Sequence, residues 1–383
     1  MSSSRRFARA VVVILAGVAT GSALLELLFG GNRLNPLSIP IDVDLRLDVS
    51  ELYSGEEPTV RYRRDRFGFR GEYTHPSRID ILTLGGSTTD QRFLDESRTW
   101  QSVMSAMFEE TGEAIEIVNA GVDGQSTVGN LANFVHWFPA VPDLRPKYVL
   151  VYVGTNDMFL AGSGARRFDQ LERGGMADHF LKRSALFNLY RKVKGAYLAE
   201  QVLLVGHGSL RPAEIGWTMS PLAGNIDWAG DPSFAQGLSE FEQRLRALHE
   251  EIAKLRAKSI FVTQQSRHSK QVNEAVWGMD HGWTLFGRKV NGVDLNRLMS
   301  LQFARTMAVC RDLGAVCVDT AVLGYEDGDF YDAVHNTPSG AGKLGLFLYT
   351  ELAPLFPPDH QTPRSRTSTR GDSSNESQSG KHP

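Results

Sequence analysis

The sequence predicts an α/β fold: a three-layer α/β/α sandwich around a parallel five-stranded sheet, with a membrane helix at the N-terminus. Three features lead to this reading. Short, nearly continuous apolar runs recur along the middle of the chain, as strands buried on both faces require. Segments with helical spacing alternate with those runs, which implies right-handed crossovers between parallel strands. An uncharged apolar stretch at residues 10–25 stands apart from both, near the lower length limit for a membrane span.

Taken in chain order, the first element is that stretch, AVVVILAGVATGSALL, which follows Arg5, Arg6 and Arg9. Arginines on this side keep the N-terminus cytoplasmic and send the remainder outward. Residues 1–30 therefore read as an anchor. A signal peptide cleaved near Gly21-Ser22-Ala23 is the alternative, but it would leave LLELLF as an exposed N-terminus. Residues 31–77 read as a Pro-containing linker (to about residue 60) and an N-terminal extension.

The expected strands are 79–84 (IDILTL), 115–118 (IEIV), 148–153 (YVLVYV), 259–263 (SIFVT) and 315–318 (AVCV). Helices are expected at 99–108, 127–138, 233–258, 293–313 and 340–355. Phe241, Leu245, Leu248, Ile252 and Leu255 mark one apolar face of the third. The alternation breaks only at about 158–232, a stretch with Gly, Pro and Trp and one helical piece at 177–198. It reads as an insertion over a sheet edge that shapes the substrate pockets, with Trp217 and Trp228 as candidate platforms for a sugar ring. Residues 358–383 lack the large apolar side chains a core needs and read as a disordered tail. The Arg370-Gly371-Asp372 tripeptide and the Asn375 sequon in it read as chance matches.

Composition narrows the function. With 41 Lys+Arg against 44 Asp+Glu the net charge is -3, which argues against a nucleic-acid binder. Two cysteines exclude a disulfide scaffold and a Cys-rich metal site. Export would permit a Cys310–Cys317 bond, and two buried thiols are the equal alternative. No HExxH, EF-hand or His/Cys cluster supports a metal, and no cofactor is implied.

Ligands of such sheets bind beyond the carboxyl ends of the strands. There the first strand runs into Gly85-Gly86-Ser87-Thr88-Thr89-Asp90. The second runs into Asn119-Ala120-Gly121-Val122-Asp123-Gly124, and the third into Gly154-Thr155-Asn156-Asp157. Asp332-Ala333-Val334-His335 precedes the last helix. A serine attacks an acyl carbonyl when a base takes its proton and donors receive the oxyanion. Ser87 is the candidate nucleophile and His335 the base. Asp332, three residues earlier on the same side of an expected helical turn, would orient the imidazole. The Ser87 and Gly121 amides and the Asn156 side chain would form the oxyanion hole.

These blocks, in this order, resemble those of the SGNH (GDSL-type) hydrolase superfamily over roughly residues 78–357, about three quarters of the chain. The resemblance implies a flavodoxin-like sheet and ester hydrolysis, with Ser87, Gly121, Asn156 and His335 as the namesake residues. The family's usual aspartate before the serine is Gly86 here. The resulting Gly-Gly-Ser-Thr-Thr turn, with a Gly-Phe-Arg-Gly element at 68–71, resembles a bacterial membrane-anchored branch.

Other residues read as structural. Asp157 would cap the segment after the third strand, and His136 would pack at the core's edge. Adjacent Asp280 and His281 diverge too much for a relay. The cluster Arg61, Arg63, Arg64, Arg66 and Arg70 would form internal ion pairs, or else meet an anionic glycan or lipid headgroups. The expected protein is thus a membrane-anchored, extracytoplasmic serine esterase. Its partners are an ester substrate, such as an acetylated glycan or a lipid, and the membrane. An O-acyltransferase acting on a polysaccharide and an inactive glycan-binding module are the alternatives.

Overall fold

The apolar runs become five parallel strands in a computed structural model that describes residues 39–54, 58–163 and 216–357, together with positions 17, 20, 21, 24 and 37. The strands are β3 (Ile81–Gly85), β4 (Ile117–Asn119), β5 (Tyr148–Tyr152), β7 (Lys258–Val262) and β12 (Val316–Val318), in spatial order β12-β7-β5-β3-β4. The order reverses between β3 and β5, and the crevice outside that switch point is where such sheets bind ligands.

Alternate residues along each strand serve opposite layers, the period-2 consequence of the pleat. Leu82 and Leu84 of β3, Val149 and Val151 of β5, and Phe261 of β7 share a core with Phe241, Leu245, Leu248 and Ile252. That core lies beneath α3 (Thr127–His136) and α5 (Pro232–Lys254). Ile81, Leu150, Tyr152, Ile260 and Val262 face the other way. They meet Trp100, Met104 and Phe108 of α2 (Trp100–Glu110) and Leu344, Leu348 and Leu352 of α7 (Pro338–Leu352). Helix starts follow capping chemistry. Asp231 accepts from Ser233 N and Phe234 N ahead of Pro232, and Asn291 and Asp294 make a capping box on α6 (Gly292–Asp312).

Within the stretch read as a linker, the described residues 39–54 and 58–60 instead form a hairpin that enters the core. Strand β1 (Val43–Asp48) pairs antiparallel with β2 (Thr59–Arg64), and Leu47, Val49, Leu52, Val60 and Tyr62 are buried beside α2 and α7. The hairpin was hidden because β2 buries only alternate residues, one of them an arginine.

A third cluster joins Met158, Trp228, Phe234, Leu285 and Leu298. Around it are α4 (Thr155–Ser163), a small antiparallel sheet of order β6-β9-β8 (Trp217–Thr218, Ala275–Met279, Ser269–Val272) and the hairpin of β10 (Trp283–Leu285) and β11 (Arg288–Val290). Trp228 is 2% exposed inside this cluster. It is a packing residue and no sugar platform, while Trp217 is half-buried with Lys270 Nζ 4.3 Å from its ring centroid. Cys310 and Cys317 are disulfide-bonded, tying the end of α6 to β12.

Among the described residues no helix is long and apolar enough to cross a membrane. Most of the 10–25 run, the helical piece at 177–198 and the tail at 358–383 lie outside the described residues.

Candidate active site

Strand β3 ends at Gly85, and the chain turns at once into α1 (Ser87–Asp90), a single helical turn. The turn is tight enough to require both glycines. A Cβ on Gly85 would fall 2.5 Å from Tyr152 O, and one on Gly86 would fall 2.7 Å from Gln125 O and from Asn156 Nδ2. The space of the family's usual aspartate is thus filled by backbone of the β4–α3 loop and by the Asn156 amide.

Ser87, the first residue of that turn, has its Oγ 2.7 Å from His335 Nε2. His335 Nδ1 lies 2.7 Å from Asp332 Oδ2. The carboxylate can only accept, so Nδ1 carries the proton and Nε2 is left to accept from the serine hydroxyl. Asp332 and His335 are 8% and 9% exposed, and this shielding strengthens both bonds. The segment is not the helical turn expected from the spacing. Asp332 Oδ1 accepts from Val334 N (2.9 Å) and His335 N (2.8 Å), a side-chain turn that leaves Oδ2 for the imidazole. Tyr331 stacks on the His335 ring, centroids 5.5 Å apart. Burial and the charges of Asp332 and Asp123 push the Tyr331 phenol well above its ordinary range, so it packs as a neutral ring.

The expected oxyanion donors divide. The Ser87 amide opens the first turn of α1, where an N–H has no partner within the helix. Asn156, in the first turn of α4, gives one Nδ2 hydrogen to Gln125 O at 2.8 Å and keeps a second. The Gly121 amide is already spent, donating to Asn119 Oδ1 at 2.8 Å. Its Cα packs so tightly on α1 that a Cβ would lie 2.4 Å from Asp90 N. Gly121 is therefore a packing residue. Gly124, at φ +74°, is the glycine that immediately precedes Gln125 in the part of the loop facing Asn156.

Gln264, just past β7, escaped the sequence reading because no motif surrounds it. Its Nε2 donates to Thr88 Oγ1 (2.5 Å) and its Oε1 accepts from Thr155 N (2.9 Å). It bridges the turn bearing Ser87 to the helix bearing Asn156. Asp157 is structural, as expected, accepting from Thr127 and Arg244. Asp280 and His281 are exposed, the latter edge-on to Trp283. His136 is half-buried at the end of α3. Four of the five clustered arginines make ion pairs, and Arg66 lies over Phe67. No group of three or more metal-ligating side chains occurs among the described residues.

A serine–imidazole–carboxylate chain at the switch point of a flavodoxin-like sheet is the constellation of an acyl-transferring hydrolase. Residues 83–343 match the model of the GDSL-like lipase/acylhydrolase family. The chain belongs to that family, whose members hydrolyse esters. Solved structures similar to this chain include TesA (13% identity, 72% of this chain and 99% of that one, TM-score 0.41). An acetyl xylan esterase from Geobacillus stearothermophilus is also similar (14%, 72% and 95%, TM-score 0.40). So is a member of the lipolytic protein G-D-S-L family from Veillonella parvula DSM 2008 (12%, 73% and 98%, TM-score 0.38). The chain matches no curated protein.

Proposed function

We propose that this protein is an extracytoplasmic serine esterase that removes short acyl groups from a cell-envelope or secreted glycan or lipid. The unbroken chain Ser87 Oγ–His335–Asp332, with both contacts at 2.7 Å, carries the reading. Ser87 attacks the ester carbonyl while His335 Nε2 takes its proton. Negative charge develops on the carbonyl oxygen, which the Ser87 amide and the second Asn156 Nδ2 hydrogen receive. Gly124 is the backbone we assign to the place expected for Gly121. His335 then returns the proton to the departing alcohol, leaving an acyl-enzyme. Water, deprotonated by His335, then attacks the acyl carbonyl, His335 returns that proton to the departing Ser87 Oγ as the acid is released, and Asp332 steadies the imidazolium in both halves.

Export is supported by the apolar run behind Arg5, Arg6 and Arg9 and by the Cys310–Cys317 bond, a type rare in reducing compartments. An acetylated polysaccharide is the substrate we favour.

The test uses the full chain in detergent with p-nitrophenyl acetate and a longer-chain ester, with and without an oligosaccharide acceptor. Ser87→Ala should lower turnover by several orders of magnitude in a folded protein. Asp332→Asn should lower it by roughly 10⁴-fold, less than His335→Ala. Acyl groups appearing on the acceptor would make the protein a transferase. Absence of any Ser87-dependent acyl chemistry from folded protein would leave a binding module.

A further inference from the structure

The arginine cluster ahead of the family-matched region has a role that internal ion pairing does not exhaust. Arg64 ends β2 and Arg70 lies in the Gly68–Gly71 turn, and both precede residue 83, where the family match begins. Each is 1% exposed, with the guanidinium wholly buried. Burying two cations is expensive, and apolar replacements of such groups are often neutral for stability or better. What they hold is the far end of the nucleophile turn.

Helix α1 has four residues, too few to sustain itself. Its carbonyls are gripped from outside. Arg70 Nη1 donates to Asp90 O (2.6 Å) and Gln91 O (2.7 Å), and Nη2 to Leu94 O (2.6 Å). Its Nε reaches Glu96 at 3.0 Å. Arg64 Nη2 donates to Asp90 Oδ1 at 2.7 Å and to Gly121 O, while Nη1 takes Gly68 O and Nε takes the Tyr62 hydroxyl, each at 2.6 Å. The Arg70 backbone pairs in both directions with Asn119 (3.0 and 2.8 Å). Asn119 Nδ2 in turn donates to Thr89 O at 2.6 Å. Only a planar five-donor fork can meet so many acceptors at fixed angles, which a lysine cannot do.

We propose that Arg64 and Arg70 are positioning residues that fix the rotation of α1 and so aim Ser87 Oγ at His335 Nε2. The N-terminal extension is then part of the catalytic apparatus. A displacement of about 1 Å at a reacting atom costs about 10²-fold in rate, and slack at the carbonyl end of a single turn moves its first residue directly. The inference rests on Ser87 being the nucleophile.

The test makes Arg64→Lys and Arg70→Lys in the full chain, beside wild type and Ser87→Ala. It follows kcat and KM for p-nitrophenyl acetate, the rate of labelling by a serine-directed fluorophosphonate, and the thermal melt. Each lysine variant should fold cooperatively and lose roughly 10- to 100-fold in kcat with KM held within about twofold. Labelling should slow in step, since it reads the serine's attack without turnover. Folded lysine variants with wild-type kcat and labelling overturn the proposal, as does a kcat loss equal to the unfolded fraction. If neither variant folds, Glu96→Gln weakens only the partly buried carboxylate anchor of Arg70, and it should lower kcat about two- to fivefold; an unchanged kcat overturns the proposal there. A wild type lacking Ser87-dependent hydrolysis and labelling would instead defeat the esterase reading.

Discussion

Gly86 and Asn156 compete for one space: a Cβ on Gly86 would lie 2.7 Å from Asn156 Nδ2. The amide assigned to the oxyanion can sit there only because the preceding turn has no side chain. Restoring the family's usual residue with Gly86→Asp should therefore harm this enzyme. It must displace Asn156 or the Gln125 carbonyl, at about 1–3 kcal/mol. Turnover should fall by about 10²-fold, as expected for loss of an oxyanion donor. Melts and steady-state kinetics of the variant check both, and full activity would mean that the β4–α3 loop yields freely.

The residues proposed for the chemistry were legible because two of them follow apolar runs and the other two keep a fixed spacing. Ser87 follows β3, Asn156 follows β5, and the spacing of Asp332 and His335 survived even though the turn between them is made by side-chain bonds to Val334 N and His335 N. What stayed hidden depends on partners distant in sequence. Gly121 reads as a donor in the sequence, but its amide is taken by Asn119 Oδ1. The β1–β2 hairpin resembled a linker because a strand that buries Arg64 carries no apolar alternation strong enough to read. Trp228 resembled a platform because nothing local reveals that Phe234 and Phe286 enclose it.

Gln264 spans the two halves of the site, so its variants separate positioning from folding. Gln264→Leu removes the acceptor of the buried Thr155 N–H, at about 1–3 kcal/mol, and frees the Thr88 side chain. We expect kcat to fall about tenfold with little change in KM. Gln264→Glu keeps the acceptor and loses the donor, and should recover most of the stability but not the rate. Equal stabilities for the two variants would count against the bridge.

The disulfide closes a short loop, its cysteines seven positions apart. Loop entropy assigns it about 2–3 kcal/mol. The Cys310→Ser/Cys317→Ser double variant should be less stable by that amount, melt at a correspondingly lower temperature and keep wild-type kcat at 25 °C. Reductant should lower the wild-type melting temperature to the same value. A variant as stable as wild type in the absence of reductant would mean that the bond contributes nothing to the fold.

His268 should give the protein an acid limb of its own. Its ring is buried between Phe159 and Trp283, with Nδ1 3.0 Å from Ser266 Oγ. Burial pulls its pKa down to about 4, opposed by the charge of Asp332. The unfolded chain protonates this histidine near 6.5 and the folded chain only near 4. Between those values the unfolded state binds more protons, so stability is complete above about pH 6.5 and declines as pH falls toward 4. The shift corresponds to an upper bound of about 3 kcal/mol. Replacing the imidazole in His268→Gln removes the titrating group while keeping a polar partner for Ser266. The variant's melting temperature should therefore drop less than that of wild type between pH 7 and pH 4.5, so that the two curves converge on the acid side. Parallel curves over that range would assign the acid sensitivity to carboxylates such as Asp329, whose pKa the Glu326 amide and Lys343 hold low against its burial.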